Sequence, residues 1–155
     1  MRRQSVVAMI SELYEGQQLE KWVAQFPGKR LRPYTALHVF YNLVRGLEDI
    51  HARRYYHADV HTQNILIQPR GVEFDLKLID FYDWGAAAKW KQRQDITDAI
   101  IVFYECLGGA GHYASLPGDI KHIIAGLKRS LILKRFSTMV TLRKHLETFE
   151  WSSII

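Results

Sequence analysis

The residues best suited to chemistry lie between positions 57 and 80. In His57-Ala58-Asp59-Val60-His61-Thr62-Gln63-Asn64 a carboxylate, two imidazoles and an amide fall within a few positions of one another, and Asp80 follows at the end of an apolar run. A carboxylate held on a rigid loop can accept a hydrogen bond from an attacking hydroxyl and take its proton late in a transfer. An amide oxygen and a carboxylate oxygen are hard donors that suit Mg²⁺. Two plainer readings compete. Asp59 and Asn64 could be an Asx-turn pair that caps a loop. His51, His57 and His61 with Asp59 could gather zinc, although such ligand sets usually come from one helical face or a compact knuckle.

The elements that must position these residues can be read from apolar periodicity and its breakers. Ser5 to Leu13 is mostly apolar with two consecutive valines, which predicts a short buried strand that stops at Glu15-Gly16. Leu19 to Phe26 predicts a helix that ends before Pro27-Gly28. Pro33 opens the next helix at a position where its missing donor costs nothing, and Leu37, Phe40, Tyr41, Val44, Leu47 and Ile50 continue it with a mostly apolar face. Ile65-Leu66-Ile67 and Leu76-Lys77-Leu78-Ile79 predict two strands of a hairpin, separated by Pro69-Arg70-Gly71. The polar stretch from His57 to Asn64 therefore sits between a long buried helix and a hairpin. Asp95 to Leu107 predicts another helix, ended by Gly108-Gly109. Ile120 to Ser130 and Ser137 to Phe149 predict two more amphipathic helices. The expected class is α+β and mostly helical, with a small hairpin beside the polar loop.

A chain of 155 residues suits one domain, and 48% apolar with 24% charged residues is ordinary globular composition. The formal charge of +5 favours an anionic partner such as a nucleotide. The cations are spread over Lys29-Arg30, Arg53-Arg54, Lys89 to Arg93, Lys128-Arg129 and Lys134-Arg135, which reads as a solvated basic surface rather than a nucleic-acid stripe. Cys106, the only cysteine, sits in an apolar run and is expected to be buried and reduced. Met1-Arg2-Arg3 precedes too few apolar residues for a signal peptide or a membrane span, so a cytoplasmic protein is expected.

The order of elements and the motifs together resemble the C-terminal lobe of the protein-kinase-like superfamily. His57, then Asp59 two residues on, then Asn64 five further on resemble the kinase catalytic loop ahead of its apolar strand. Ile79-Asp80-Phe81 resembles the metal-binding Asp-Phe-Gly motif. Asp95 resembles the aspartate that opens the family's central helix, and Tyr104-Glu105 a pair near that helix's end. Ser11-Glu12-Leu13-Tyr14-Glu15-Gly16 is similar to the hinge beneath the adenine ring, with Ser11 at the gatekeeper position.

What the resemblance implies is an ATP-dependent phosphotransferase, with residues 1–18 as a fifth-strand and hinge remnant and 19–155 as the helical lobe. It implies that Asp59, His61 and Asn64 serve catalysis, that Asn64 and Asp80 hold Mg²⁺, and that Ser11, Glu12, Tyr14, Gln18, Leu66 and Ile79 line the nucleotide site. His57, Phe81 and Asp95 become scaffold residues. The transferred phosphoryl group would go to a hydroxyl of a protein or a small molecule. Tyr104-Glu105 and the helices after it favour a serine/threonine protein kinase. His61, where protein kinases usually carry lysine, and the short stretch between Asp80 and Asp95 favour a small-molecule or glycan kinase of the aminoglycoside or lipopolysaccharide type. Tyr82, in place of glycine, favours a non-catalytic interaction module. Ala58 replaces the usual arginine, which argues against control by phosphorylation of the activation segment. No Gly-rich loop and no Val-Ala-Ile-Lys strand stands ahead of the hinge. The expectation is a piece of a longer kinase, a partner that supplies the N-lobe, or a binding module, with an exposed apolar seam that drives oligomerisation or partner binding.

Overall fold

A computed structural model describes residues 10–81, 89–148 and 150. Strand β1 (Gln17–Gln18) leads into helix α1 (Leu19–Val23) and then helix α2 (Pro33–Ala52). Strands β2 (Ile65–Arg70) and β3 (Glu73–Leu78) follow, then helices α3 (Lys89–Cys106), α4 (Ala110–Tyr113), α5 (Gly118–Ile124), α6 (Arg129–Arg135) and α7 (Met139–Glu147). The three strands form one antiparallel sheet in the order β1-β2-β3, with Gln17 opposite Ile67 and Ile65 opposite Leu78. The fold is thus mostly helical with a small sheet, as expected.

The core forms where α2 lies against α3. α2 turns Ala36, Leu37, Val39, Phe40, Leu43, Val44 and Leu47 inward at helical spacing, and α3 meets it with Ile96, Ala99, Ile100, Val102 and Phe103. The Phe40 and Phe103 rings stack at 4.5 Å between centroids. α7 adds Leu142 and Leu146 to the same cluster, and the Arg143 guanidinium pins its outer face to Glu48 of α2 at 2.6 Å. Cys106 is buried, as its apolar surroundings imply, and burial pushes its thiol up to about 12.

The two long helices end by one device with different residues. Gly108, at φ +95°, donates to Glu105 O while Gly109 donates to Tyr104 O, so the glycine pair stops α3. At the end of α2 the same pair of bonds runs from Arg54 to His51 O and from Tyr55 to Ile50 O. There an arginine takes the left-handed position, at φ +63°. That turn aims the chain from α2 into the polar loop.

The expected boundaries need correction at several places, among them α1, which ends at Val23 rather than Phe26, and α3, which begins at Lys89 rather than Asp95. Positions 10–13 form no strand, and Ile10 and Leu13 are 96% and 88% exposed, because no described strand pairs with them; Ser5 to Met9 lie outside the described residues. The strand pairing falls later, at Gln17–Gln18, where Gly16 permits a close approach: a Cβ there would stand 2.9 Å from Ile67 O. The hairpin turn is Gly71-Val72 rather than Pro69-Arg70-Gly71, and Pro69 lies within β2 beyond the residues that β1 pairs with. The single helix expected from Ile120 to Ser130 is broken at Ala125, Gly126 and Leu127, all with φ between 53° and 59°, and a separate α6 begins at Arg129.

Candidate active site

The polar loop is held from below by one buried carboxylate. Asp95, fully buried in the first half of α3, accepts the backbone N–H of His57 at 2.9 Å on Oδ2 and that of Ala58 at 2.7 Å on Oδ1. Its Oδ2 also meets His51 Nε2 of α2 at 2.8 Å. Gln94, one residue earlier, donates its amide to Ala58 O at 3.2 Å. Ala58 has φ +64°, a conformation that costs an alanine roughly 1–2 kcal/mol. Both of its backbone polar groups are therefore tied to α3 where the backbone is strained.

His57 joins this loop to the end of the hairpin. Its Nδ1 accepts the Asp59 N–H at 3.3 Å, so its Nε2 carries the proton and donates to Ile79 O at 2.8 Å. The Phe81 ring lies 4.4 Å from the imidazole. Ile79 also donates its N–H to Asn64 O at 3.0 Å. Asp80 follows directly at φ +62°, with an exposed side chain. Among non-glycine residues Asp tolerates that region comparatively well.

Asp59, His61 and Asn64 meet on the upper side of the loop. The buried Asn64 donates Nδ2 to Asp59 O at 3.0 Å and to Asp59 Oδ2 at 3.1 Å. His61 accepts the Gln63 N–H on Nδ1 at 3.3 Å and brings Nε2 to 3.6 Å from Asp59 Oδ2, both side chains being nearly half exposed. With Nδ2 committed to Asp59, the amide oxygen is the atom Asn64 has left to present. His51 and His57 spend ring nitrogens on Asp95 and on the Asp59–Ile79 pair, so the histidines do not converge on one point.

The residues expected to line a nucleotide site divide into two sets. Gln18 donates its amide to Gln63 O at 3.2 Å, which links the start of α1 to the polar loop, and the half-buried Leu66 lies on β2 opposite Gln18 and Lys77. Ile79 is part of the loop network described above. Glu12 and Tyr14 lie against β3 instead: Glu12 pairs with Lys77 at 3.1 Å and the Tyr14 hydroxyl donates to Asp75 O at 2.8 Å. They border a pocket of about 550 Å³ with Gln68 and Arg70. Ser11 is exposed. Tyr82 lies outside the described residues.

Sequence reasoning missed Gln94 and Asp98 and weighed His51 only as a zinc candidate. Asp98 sits one turn beyond Asp95, and burial, then the nearby Asp95 charge, push its carboxyl up to about 6 against the opposing effects of Gln94 and Arg129. The signal was the cluster Gln94-Asp95-Asp98 on one face of a helix otherwise apolar there.

The family model described as the protein kinase domain matches residues 1–106. The chain is 35% identical over 82 residues to CTD kinase subunit alpha of Saccharomyces cerevisiae, covering 50% of this chain and 14% of that protein. It is 33% identical over 101 residues to cyclin-dependent kinase 15 of Mus musculus, covering 63% of this chain and 22% of that protein. It is 37% identical over 75 residues to CBL-interacting protein kinase 4 of Oryza sativa subsp. japonica, covering 48% of this chain and 16% of that protein. The chain thus spans less than a quarter of the length of each of these relatives.

Proposed function

This chain belongs to the protein kinase family, and on that premise we propose that it forms the catalytic-loop lobe of an ATP-dependent phosphotransferase that phosphorylates serine or threonine hydroxyls of proteins. The observation that carries the reading is the linkage of Asp59, Asn64 and Ile79-Asp80 through Asn64, which bonds to Asp59 with its side chain and to Ile79 with its backbone. Asp59 is the group that orients the acceptor hydroxyl and takes its proton. Its carboxylate is steered by the Asn64 amide and by the His61 ring, and its backbone is fixed through His57.

Asn64 and Asp80 fit a hard cation by donor chemistry, since they offer an amide oxygen and an exposed carboxylate. Among the described residues no group of three or more His, Cys, Asp or Glu side chains is gathered to hold a metal. The pair therefore suits an ion that brings further ligands with it. Mg²⁺ carried on ATP would neutralise the charge that spreads over the transferring phosphoryl oxygens. The Gly-rich lid and the lysine strand of the family are absent from these 155 residues, and in this proposal another segment, of the same polypeptide or of a partner, supplies them. Tyr104-Glu105 and the kinase names of the relatives support a protein acceptor. A small-molecule or glycan acceptor is the second reading, favoured by the His61 imidazole beside Asp59.

Paramagnetic broadening tests the assignment. With a non-hydrolysable ATP analogue and Mn²⁺ in place of Mg²⁺, the amide resonances of Asp59, Asn64 and Asp80 should broaden while those of α7 stay sharp. Broadening centred elsewhere, or none that depends on the nucleotide, would overturn it.

A further inference from the structure

We propose that the groove between the C-terminal end of α2 and the first turns of α3 and α7 docks an acidic peptide segment that carries an aliphatic anchor. The groove encloses about 500 Å³, and no residue of the polar loop from His57 to Asn64 lines it. Its floor is apolar: Ile96 and Met139 are each 1% exposed and still contribute to the lining, and Val140 beside them is 40% exposed. A floor of that kind takes an aliphatic side chain.

The rim selects the charge. Lys89 and Arg93 stand four residues apart on α3, so they project from one face of the helix, and both are exposed. Neither forms an ion pair among the described residues. The one acidic residue of the lining, Glu48, is already held by Arg143 at 2.6 Å. The His51 ring is turned to Asp95 at 2.8 Å. The groove thus has two cations to offer and no uncommitted carboxylate to oppose a partner's, and the Ser137 hydroxyl adds a donor at the α7 end. Carboxylates around an aliphatic residue satisfy both the rim and the floor. Nucleic acid fits less well, because its affinity comes from many phosphate contacts along an extended basic track rather than from two cations around an apolar hollow.

Fluorescence anisotropy on the whole chain tests this with a fluorescein-labelled peptide of alternating leucine and glutamate. Saturable binding is expected, with a counterpart of alternating leucine and lysine not binding. Lys89→Glu with Arg93→Glu should weaken binding about tenfold or more, since two attractive rim contacts become repulsive, while Lys89→Arg with Arg93→Lys should preserve it. Val140→Ser should weaken binding at every salt concentration, whereas the charge reversal should matter most at low salt. Should the reversed variant lose its circular dichroism melt, Arg93→Gln and the salt titration of the unaltered chain decide instead. Binding that ignores salt and Arg93→Gln would overturn the proposal. So would tighter binding to a single-stranded RNA oligonucleotide or to phosphatidylserine vesicles than to the acidic peptide.

Discussion

Asp95 concentrates three hydrogen bonds on one fully buried carboxylate, from two consecutive backbone amides and an imidazole. Its role as a scaffold for the polar loop was legible through the family resemblance and agrees with the His57 and Ala58 amides, but its place inside α3 rather than at the helix start, and its contact with His51, were not legible. Asp95→Ala leaves the His57 and Ala58 donors buried and unpaired, so urea unfolding should show a loss of about 3 kcal/mol or more. A variant that unfolds with the parent would contradict this role. Asp98 went unread, although it shares a helix face with Gln94 and Asp95. Its carboxyl is raised from 3.8 to about 6, so the protonated form is the one the fold favours. That stability is fully present below pH 3.8 and is lost as the pH rises through about 6. Asp98→Asn should therefore stabilise the protein at neutral and alkaline pH by about 1–2 kcal/mol, a figure reduced for the carboxyl's partial exposure. Chemical denaturation across the pH range should find a flatter profile in the variant. A steeper one would mean that Arg129 outweighs burial.

Helix α2 shows which element boundaries a sequence announces. Pro33 marks its start and the structure begins it there. Its end carries no glycine, yet Arg54 adopts the conformation that Gly108 supplies after α3. The turn forms because the next residues, Tyr56 and His57, are buried and anchored, and this tertiary demand overrides the local preference. The break at Ala125–Leu127 was hidden for the same reason, since Ile120, Ile123 and Ile124 on one side and Ile132 on the other keep a helix-like apolar rhythm across it. Arg54→Gly should relieve the left-handed strain and raise stability by up to about 1 kcal/mol, the remainder being offset by the freer unfolded chain. Arg54→Ala should give no such gain. Equal effects of the two substitutions in thermal melts would show that the guanidinium, not the backbone, matters at this site.

Across the whole molecule, α2 and α3 build the core, and the polar loop and hairpin are fastened to it through His51, Gln94 and Asp95. The pairing of Asp59 with Asn64 was legible because the two lie five residues apart on one loop. Of the supports, Asp95 was expected, whereas Gln94 and His51 were not, because the contact of each depends on how α2 and α3 pack against the loop. Among the described residues no helix is long and apolar enough to cross a membrane. Asn64 and Asp80 are proposed to bind a nucleotide through its metal, and the Gly-rich loop and lysine strand that cover the adenine in the family are not among these 155 residues. With one face of the ring left in water, about 100 Å² of apolar burial is lost; at about 25 cal/mol per Å² that is about 2.5 kcal/mol, or nearly two decades in affinity. Isothermal titration calorimetry of the 155-residue chain with ATP therefore decides whether the loop takes up a metal-bound nucleotide. Binding in the millimolar range that requires Mg²⁺ and disappears in Asp80→Ala is the expected result, whereas no binding, or binding that neither Mg²⁺ nor Asp80→Ala alters, would contradict it.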